Sequence, residues 1–179
     1  MTDADLVRRF VESRDESAFR ALYARHAPAV YGTIRRLADT FADADDAFQE
    51  AWLRASAGMA SFRGASAFRT WLTGIALNCL RERRRNGRHD WHEGPPDASA
   101  AEPADHRRLD VAEVLAAMSA PFREVLVLHD VEGHTHEEIA DLLGIEPGTS
   151  KSRLSRARSD FRRRWRASPG PAPEEGSDV

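Results

Sequence analysis

Between residues 86 and 106 the chain runs NGRHDWHEGPPDASAAEPADH, a stretch of Pro, Gly, Ala, Ser and charge without apolar periodicity. Both flanks carry helical patterning instead, so the stretch reads as an interdomain linker. With 179 residues, 41% of them hydrophobic, the chain can fill two small cores but not one large one. No repeat and no alternating run signals a strand. The expected fold is all-α: two small helical domains joined by a flexible linker, the C-terminal one containing a helix-turn-helix. The expected boundaries are 1–85 for the first domain, 86–107 for the linker, 108–166 for the second domain and 167–179 (ASPGPAPEEGSDV) for a disordered acidic tail.

Charge is unevenly placed. The net charge is −3, yet there are 26 basic residues, and all but Lys151 are arginine. The N-terminus, MTDADLVRRF, is acidic and lacks a long apolar run, so no signal peptide is expected. Nothing later approaches the roughly 20 apolar residues that span a bilayer. Residence in the cytoplasm and no membrane insertion are the expectations. Cys79 is the only cysteine, which excludes an internal disulfide, and its apolar neighbours suggest a buried thiol.

In the first block, DADDAFQEAWLRA spaces Ala44, Ala47, Phe48, Ala51, Trp52 and Ala55 along one helical face, which is expected to face the core. Asp45, Asp46, Gln49, Glu50 and Leu53 then fall on the opposite side. That acidic surface with an apolar centre suits docking, although a solvated polar face with one stray leucine gives the same pattern. The next segment, SFRGASAFRTWLTGIALNCLRERRR, places Phe68, Trp71, Leu72, Ile75, Ala76 and Cys79 on one face after a Gly-containing loop. Arg63, Arg69 and the run Arg81, Arg83, Arg84, Arg85 surround that aromatic loop with positive charge, which suits single-stranded nucleic acid. A cationic helix end is equally what the helix dipole favours.

The second block opens with two amphipathic helices separated near Pro121, carrying Val111, Val114, Leu115 and Met118, then Phe122, Val125, Leu126 and His129. Thr135 with Glu138 forms a capping box for a third helix bearing Ile139, Leu142 and Leu143. Gly144 supplies a tight turn, and Pro147 sits in the first turn of a fourth helix, where its missing N–H is not needed. Helix, glycine turn, helix is the helix-turn-helix pattern. On the last helix Leu154, Ala157, Phe161 and Trp165 share one side, and Lys151, Ser152, Ser155 and Arg156 the other. The presented Lys, Ser and Arg can hydrogen-bond base edges in a major groove, while Arg153, Arg158, Arg162 and Arg163 reach phosphates.

His129, His134 and His136 stand near four acids in HDVEGHTHEE, but their spacing in a loop without cysteine argues against zinc. No glycine-rich phosphate loop, nucleophile elbow or metal-ligand helix motif is found. No catalytic residue, metal or cofactor is expected.

Together, DADDAFQEAWL, SFRGASAFRTWLTGIALN and EEIADLLGIEPGTSKSRLSRAR, in that order and spacing about a variable linker, resemble the bacterial extracytoplasmic-function (ECF) sigma factors of the sigma-70 family. The resemblance implies a helical domain for the −10 promoter element and another for the −35 element. It implies that Asp46, Gln49, Glu50 and Leu53 dock core RNA polymerase at the β′ clamp helices, with the β flap as a second contact. It implies that Phe62, Arg63, Ser66, Phe68, Trp71 and Asn78 hold the single-stranded −10 element and capture a flipped base, although Phe68 and Trp71 equally suit a core. It implies that Lys151, Ser152, Ser155 and Arg156 read the −35 element as duplex DNA, with Arg153 and Arg158 beside them.

Two positions depart from the family pattern. Glu146 stands at the helix N-cap, where serine is usual, and glutamate is a poor cap. Ser150 replaces a valine beside the packing face, and a wetter seam is expected there. The family is commonly restrained by an anti-sigma factor. Two other readings remain: a helix-turn-helix DNA-binding regulator that does not direct initiation, and an inactive adaptor. The order of an acidic docking face and then a basic aromatic loop distinguishes a sigma factor from the regulator, and the adaptor would show no DNA affinity even with polymerase present.

Overall fold

The computed structural model describes residues 1–90 and 106–167, and every regular element among them is helical. Four helices make the first unit: α1 Asp3–Ser13, α2 Glu16–Leu37, α3 Phe41–Gly58 and α4 Phe68–Asp90, with a 3₁₀ turn at Met59–Ser61. Side chains start the first three. Thr2 and Asp5 form a capping box, Asp15 accepts from the Ser17 and Ala18 N–H groups, and Thr40 accepts from the Asp43 N–H. Each cap satisfies amide donors that have no partner within the helix.

The core face anticipated for α3 is inward. Ala44, Ala47, Ala51, Trp52 and Ala55 are buried, and Phe48 is half-buried. Four small residues let α3 lie close along α4, whose Phe68, Leu72, Ala76, Cys79 and Leu80 face the same core. Cys79 is a free, buried thiol, and burial pushes its pKa up.

The second unit holds α5 His106–Ala117, α6 Ala120–Leu126, α7 His136–Leu143 and α8 Pro147–Ala167. α6 runs into one wider π turn at Val127–Val131, closed by the Glu132 N–H donating to the Val127 carbonyl at 3.0 Å. The Thr135–Glu138 capping box forms as the sequence indicates, and Gly144 ends α7 at φ 63°. α8 packs against α5, α6 and α7 through Ser150, Leu154 and Ala157.

Helix boundaries differ from the sequence expectation at the joint. α4 continues to Asp90 and α5 begins at His106, so both ends of the expected linker 86–107 are helical. Residues 91–105 lie outside the described residues, as does the expected tail beyond Ala167.

The two units pack against each other through charge, which helical periodicity does not reveal. Arg123 is 2% exposed and Glu124 4%. Arg123 donates to the Ala38 carbonyl at 3.2 Å and pairs with Asp39. Glu124 accepts from Arg81 at 2.7 Å and from Arg84 at 3.0 Å. Arg84 also donates to Asp39 at 3.0 Å and to the Leu37 carbonyl, and Arg81 reaches the Leu143 carbonyl at 3.3 Å. Burial alone would raise the Asp39 pKa, but hydrogen bonds and charge from Arg123 and Arg84 hold it below the usual carboxylate range. Nearby, α4 and α7 approach so closely that a Cβ on Gly74 would lie 3.1 Å from Leu142 Cδ2.

Truncating one member of a buried pair leaves the other desolvated and unmatched. Glu124→Ala is therefore expected to lower unfolding stability by about 3 kcal/mol, because it removes the buried carboxylate that matches both Arg81 and Arg84 in the seam. Urea denaturation of the full chain measures this.

Candidate functional site

Three surfaces carry the predicted residues. The first is the outer face of α3, where Asp46, Gln49 and Leu53 are exposed and Glu50 is half-buried; Leu53 is 65% open. Its acids are paired within the fold. Arg83 of α4 meets Asp46 at 2.6 Å and Asp43 at 3.5 Å. Arg54 bridges Glu50 at 2.7 Å and Glu82 at 2.8 Å, so its own pKa rises and that of Glu82 falls. Beside this face runs an apolar groove of about 570 Å³, lined by Phe10, Phe19, Tyr23, Phe48, Trp52 and Leu53. Sequence reading missed it because its walls come from three helices. The aromatic spacing of Phe10, Phe19 and Tyr23 was the available signal.

The second surface is the loop before α4 and the start of that helix. Phe62, Phe68 and Trp71 form a triangle of rings with centroids 5.3–5.5 Å apart. Phe68 is 1% exposed and also meets His26 and Trp52, so it is a core residue here and offers no face to a base. Phe62 and Trp71 are half-buried, while Arg63 and Ser66 stand open around Gly64, which turns at φ 72°. Asn78 is exposed ten residues along α4 from Phe68, about 15 Å by helical rise, and one turn beyond the Gly74–Leu142 approach. The arginine run divides. Arg81 and Arg84 turn into the seam between the units and Arg83 turns to α3, so these three do not extend the basic loop.

The third surface is α8. Lys151, Ser152, Ser155 and Arg156 are exposed on one side and Arg153 is half-buried, while Leu154 and Ala157 are buried on the other. Trp165, expected on the packing side, is 38% exposed and stacks on Phe161. Arg158 is held by Asp130 through two hydrogen bonds of 2.9 and 2.6 Å, which lowers the Asp130 pKa and raises its own. Asp160, buried on this helix, accepts from Arg163 and from Arg164 at 2.9 Å. Ser150 is fully buried rather than wet, and its Oγ lies 2.9 Å from His136 Nδ1.

The histidines of HDVEGHTHEE do not converge. His134 is buried beside Glu138 at 3.6 Å, whereas the His129 and His136 rings face each other at 4.8 Å. No helix among the described residues is long and apolar enough to cross a membrane.

Comparison with known proteins adds to this geometry. Residues 22–89 match the family described as Sigma-70 region 2, and residues 108–161 the family described as Sigma-70, region 4. The chain is similar to the RNA polymerase sigma factor CarQ of Myxococcus xanthus, at 35% identity over 82% of this chain and 88% of that protein. It is also similar to the ECF RNA polymerase sigma factor SigM of Mycobacterium tuberculosis, at 32% identity over 90% of this chain and 84% of that protein. Among solved structures, the sigma factor RpoE in complex with the anti-sigma factor NepR from Bartonella quintana superposes with a TM-score of 0.74 at 27% identity, covering 84% of this chain and 98% of that one. CnrH in complex with the cytosolic domain of CnrY superposes at 0.70 and 26% identity, covering 93% and 99%.

The perturbed groups set a dependence of stability on pH. Hydrogen bonds, led by that from Ser17, hold the Asp15 pKa at about 2, and Asp39, Asp130 and Glu138 are also held low. Their contribution is complete above the ordinary carboxylate range and is lost as pH falls through the lowered folded values. His136 is lowered from 6.5 by burial and by His129, Lys151 and Arg158. Its neutral form favours folding, so that contribution is complete above pH 6.5 and fades below it. Denaturation midpoints across pH 8 to 2 should fall in a shallow step below about 6.5 and a steep one below about 4. His136→Asn is expected to remove the shallow step alone.

Proposed function

Because the chain belongs to the sigma-70 family, as one of its extracytoplasmic-function sigma factors, we propose specific parts for its three surfaces in promoter-directed initiation. The carrying observation is that both matched regions lie in order on one chain, each with a solvent-facing set of the residue types its task needs.

Asp46, Gln49, Glu50 and Leu53 dock the β′ clamp helices of core RNA polymerase, with the neighbouring aromatic groove accepting apolar side chains at the margin. The second unit contacts the β flap. Lys151, Ser152, Ser155 and Arg156 read the −35 element in the major groove, with Arg153 against phosphate. Arg158 contributes first by fixing the π turn and then, at the helix edge, by positive charge. Phe62, Arg63, Ser66, Trp71 and Asn78 hold the separated −10 strand, and Phe68 supports Phe62 and Trp71 from beneath.

No catalytic residue is required. Polymerase carries the chemistry, and this protein supplies sequence preference and assists strand opening. Unstacking costs a few kcal/mol per step, which stacking on aromatic side chains at about 1–3 kcal/mol per base can offset. Opening therefore needs several base contacts acting together after polymerase has fixed the duplex. The protein works in the cytoplasm, where promoters are. An anti-sigma factor is a fitting partner, since a sigma factor of similar fold, RpoE, has been solved with the anti-sigma factor NepR bound.

Run-off transcription with core polymerase on a promoter-fragment library, with sequencing of transcript 5′ ends, tests the whole. New starts sharing −35 and −10 elements are expected only when the protein is added. Duplex binding without new starts would favour a regulator that does not direct initiation, and no DNA binding even with polymerase would favour an adaptor. Glu50→Lys should weaken holoenzyme assembly by about tenfold or more, because it places like charge beside Arg54 and reverses the docking charge. Arg156→Ala should cost about 1–3 kcal/mol of −35 discrimination while leaving assembly unchanged. Co-purification with core polymerase and competition binding separate these two effects.

A further inference from the structure

The inner face of α8 contains a polar residue in an apolar row. Ser150, Leu154 and Ala157 are all buried there, and the Ser150 hydroxyl meets one side chain, His136 Nδ1, at 2.9 Å. His136 is the first residue of α7, directly after the Thr135 cap. Its ring lies against that of His129 on the π turn, with centroids 4.8 Å apart and planes tilted by 32°. His129 Nδ1 lies 2.8 Å from Asp130, and Asp130 accepts both hydrogen bonds from Arg158. The circuit therefore leaves α8 at Ser150 and returns to it at Arg158, eight residues or about 12 Å further along the helix. The presented residues Lys151, Ser152, Ser155 and Arg156 all lie between those two anchor points.

A buried hydroxyl must be matched, and a hydrogen bond is directional where an apolar contact is not. Valine at position 150 would let α8 settle wherever volume is best filled. Serine requires the helix to sit where its Oγ meets the imidazole. The charged groups around that ring are Glu137 on α7, Lys151 and Arg158 on α8, and His129 with Asp130 on the turn. Three of these five are cationic or become so on protonation, an environment suited to a neutral His136.

We propose that His136, acting through its hydrogen bond to Ser150, is a positioning residue that fixes the depth and rotation at which α8 offers its outer residues to the −35 bases. This rests on the sigma-factor reading above. Neither residue is among those that touch DNA, so both can be changed without removing a base contact. The Phe ring in His136→Phe keeps the stack on His129 and removes the hydrogen bond. The amide in His136→Asn keeps a nitrogen near the place of Nδ1.

The test uses holoenzyme formed with the full chain and promoter fragments from the run-off library whose −35 segment has been randomised; bound DNA is sequenced. The readout is the preference for the best −35 segment over the average one. His136→Phe and Ser150→Ala should each reduce that preference by about fivefold or more, and the double variant should be no worse than either single one, as coupled neighbours require. His136→Asn should stay within about twofold of the unchanged protein. Melting temperature is followed for each variant.

Unchanged preference in both single variants, even with a lowered melting temperature, would reduce the pair to a structural role and overturn the proposal. So would losses that multiply in the double variant, or a His136→Asn protein as poor as His136→Phe. Absence of any −35 preference in the unchanged protein would overturn the sigma-factor reading and this proposal together. A preference that Arg156→Ala abolishes and His136→Phe leaves intact would overturn this proposal alone.

Discussion

Arg123 and Glu124, adjacent in the middle of α6, carry opposite charges into the seam between the two helical units, and the placement of the C-terminal helices follows from how they are met. Taking a charge from water costs several kcal/mol even after relaxation, so an orientation that left either one unmatched would not persist. In the observed one, Glu124 lies between Arg81 and Arg84 while Arg123 reaches Asp39 and the end of α2. Apolar contact alone would tolerate sliding of one unit over the other. The directional fork of three guanidinium groups does not. The seam also brings Leu142 against Gly74, so the orientation that satisfies the charges also packs α7 closely on α4 at that glycine.

Local chemistry was legible wherever its partners lie within one turn. Thr135 caps with Glu138, Gly144 takes the left-handed conformation, and Ala44 through Ala55 face inward, all as their spacing dictates. The two faces of α8 separate as the 100° rotation per residue requires, from Ser150 through Ala157. What escaped the sequence was settled at a distance. Arg81 and Arg84 look like additions to a basic loop until their partner Glu124, 43 and 40 residues away, is placed beside them. Ser150 looks wet until His136, 14 residues earlier, is seen to meet it. Phe68 fits base stacking and core equally by pattern, and only the arrival of His26 and Trp52 over its ring decides for the core. At the C-terminal end of α8 the pattern asked for more burial than the short second unit provides, which leaves Trp165 at the surface.

The α3 surface shows the same limit in its electrostatics. Sequence presents an acidic face, but each acid at its centre has an arginine: Arg83 on Asp46 and Arg54 on Glu50. These pairs are all substantially open to water, and exposed pairs of this kind contribute roughly 0–1 kcal/mol. They differ from the seam in what they permit. A buried pair resists separation because either half left alone would be desolvated, whereas an exposed pair parts at little cost because water and salt solvate both halves. An incoming protein surface with its own cations can therefore displace Arg83 and Arg54 and take over their carboxylates. Leu53, 65% exposed, and the neighbouring aromatic groove offer apolar area that exchange of charges alone does not. The buried pairs around Glu124 thus hold two of the chain's own units in one orientation, whereas the exposed pairs on α3 can exchange partners at little cost.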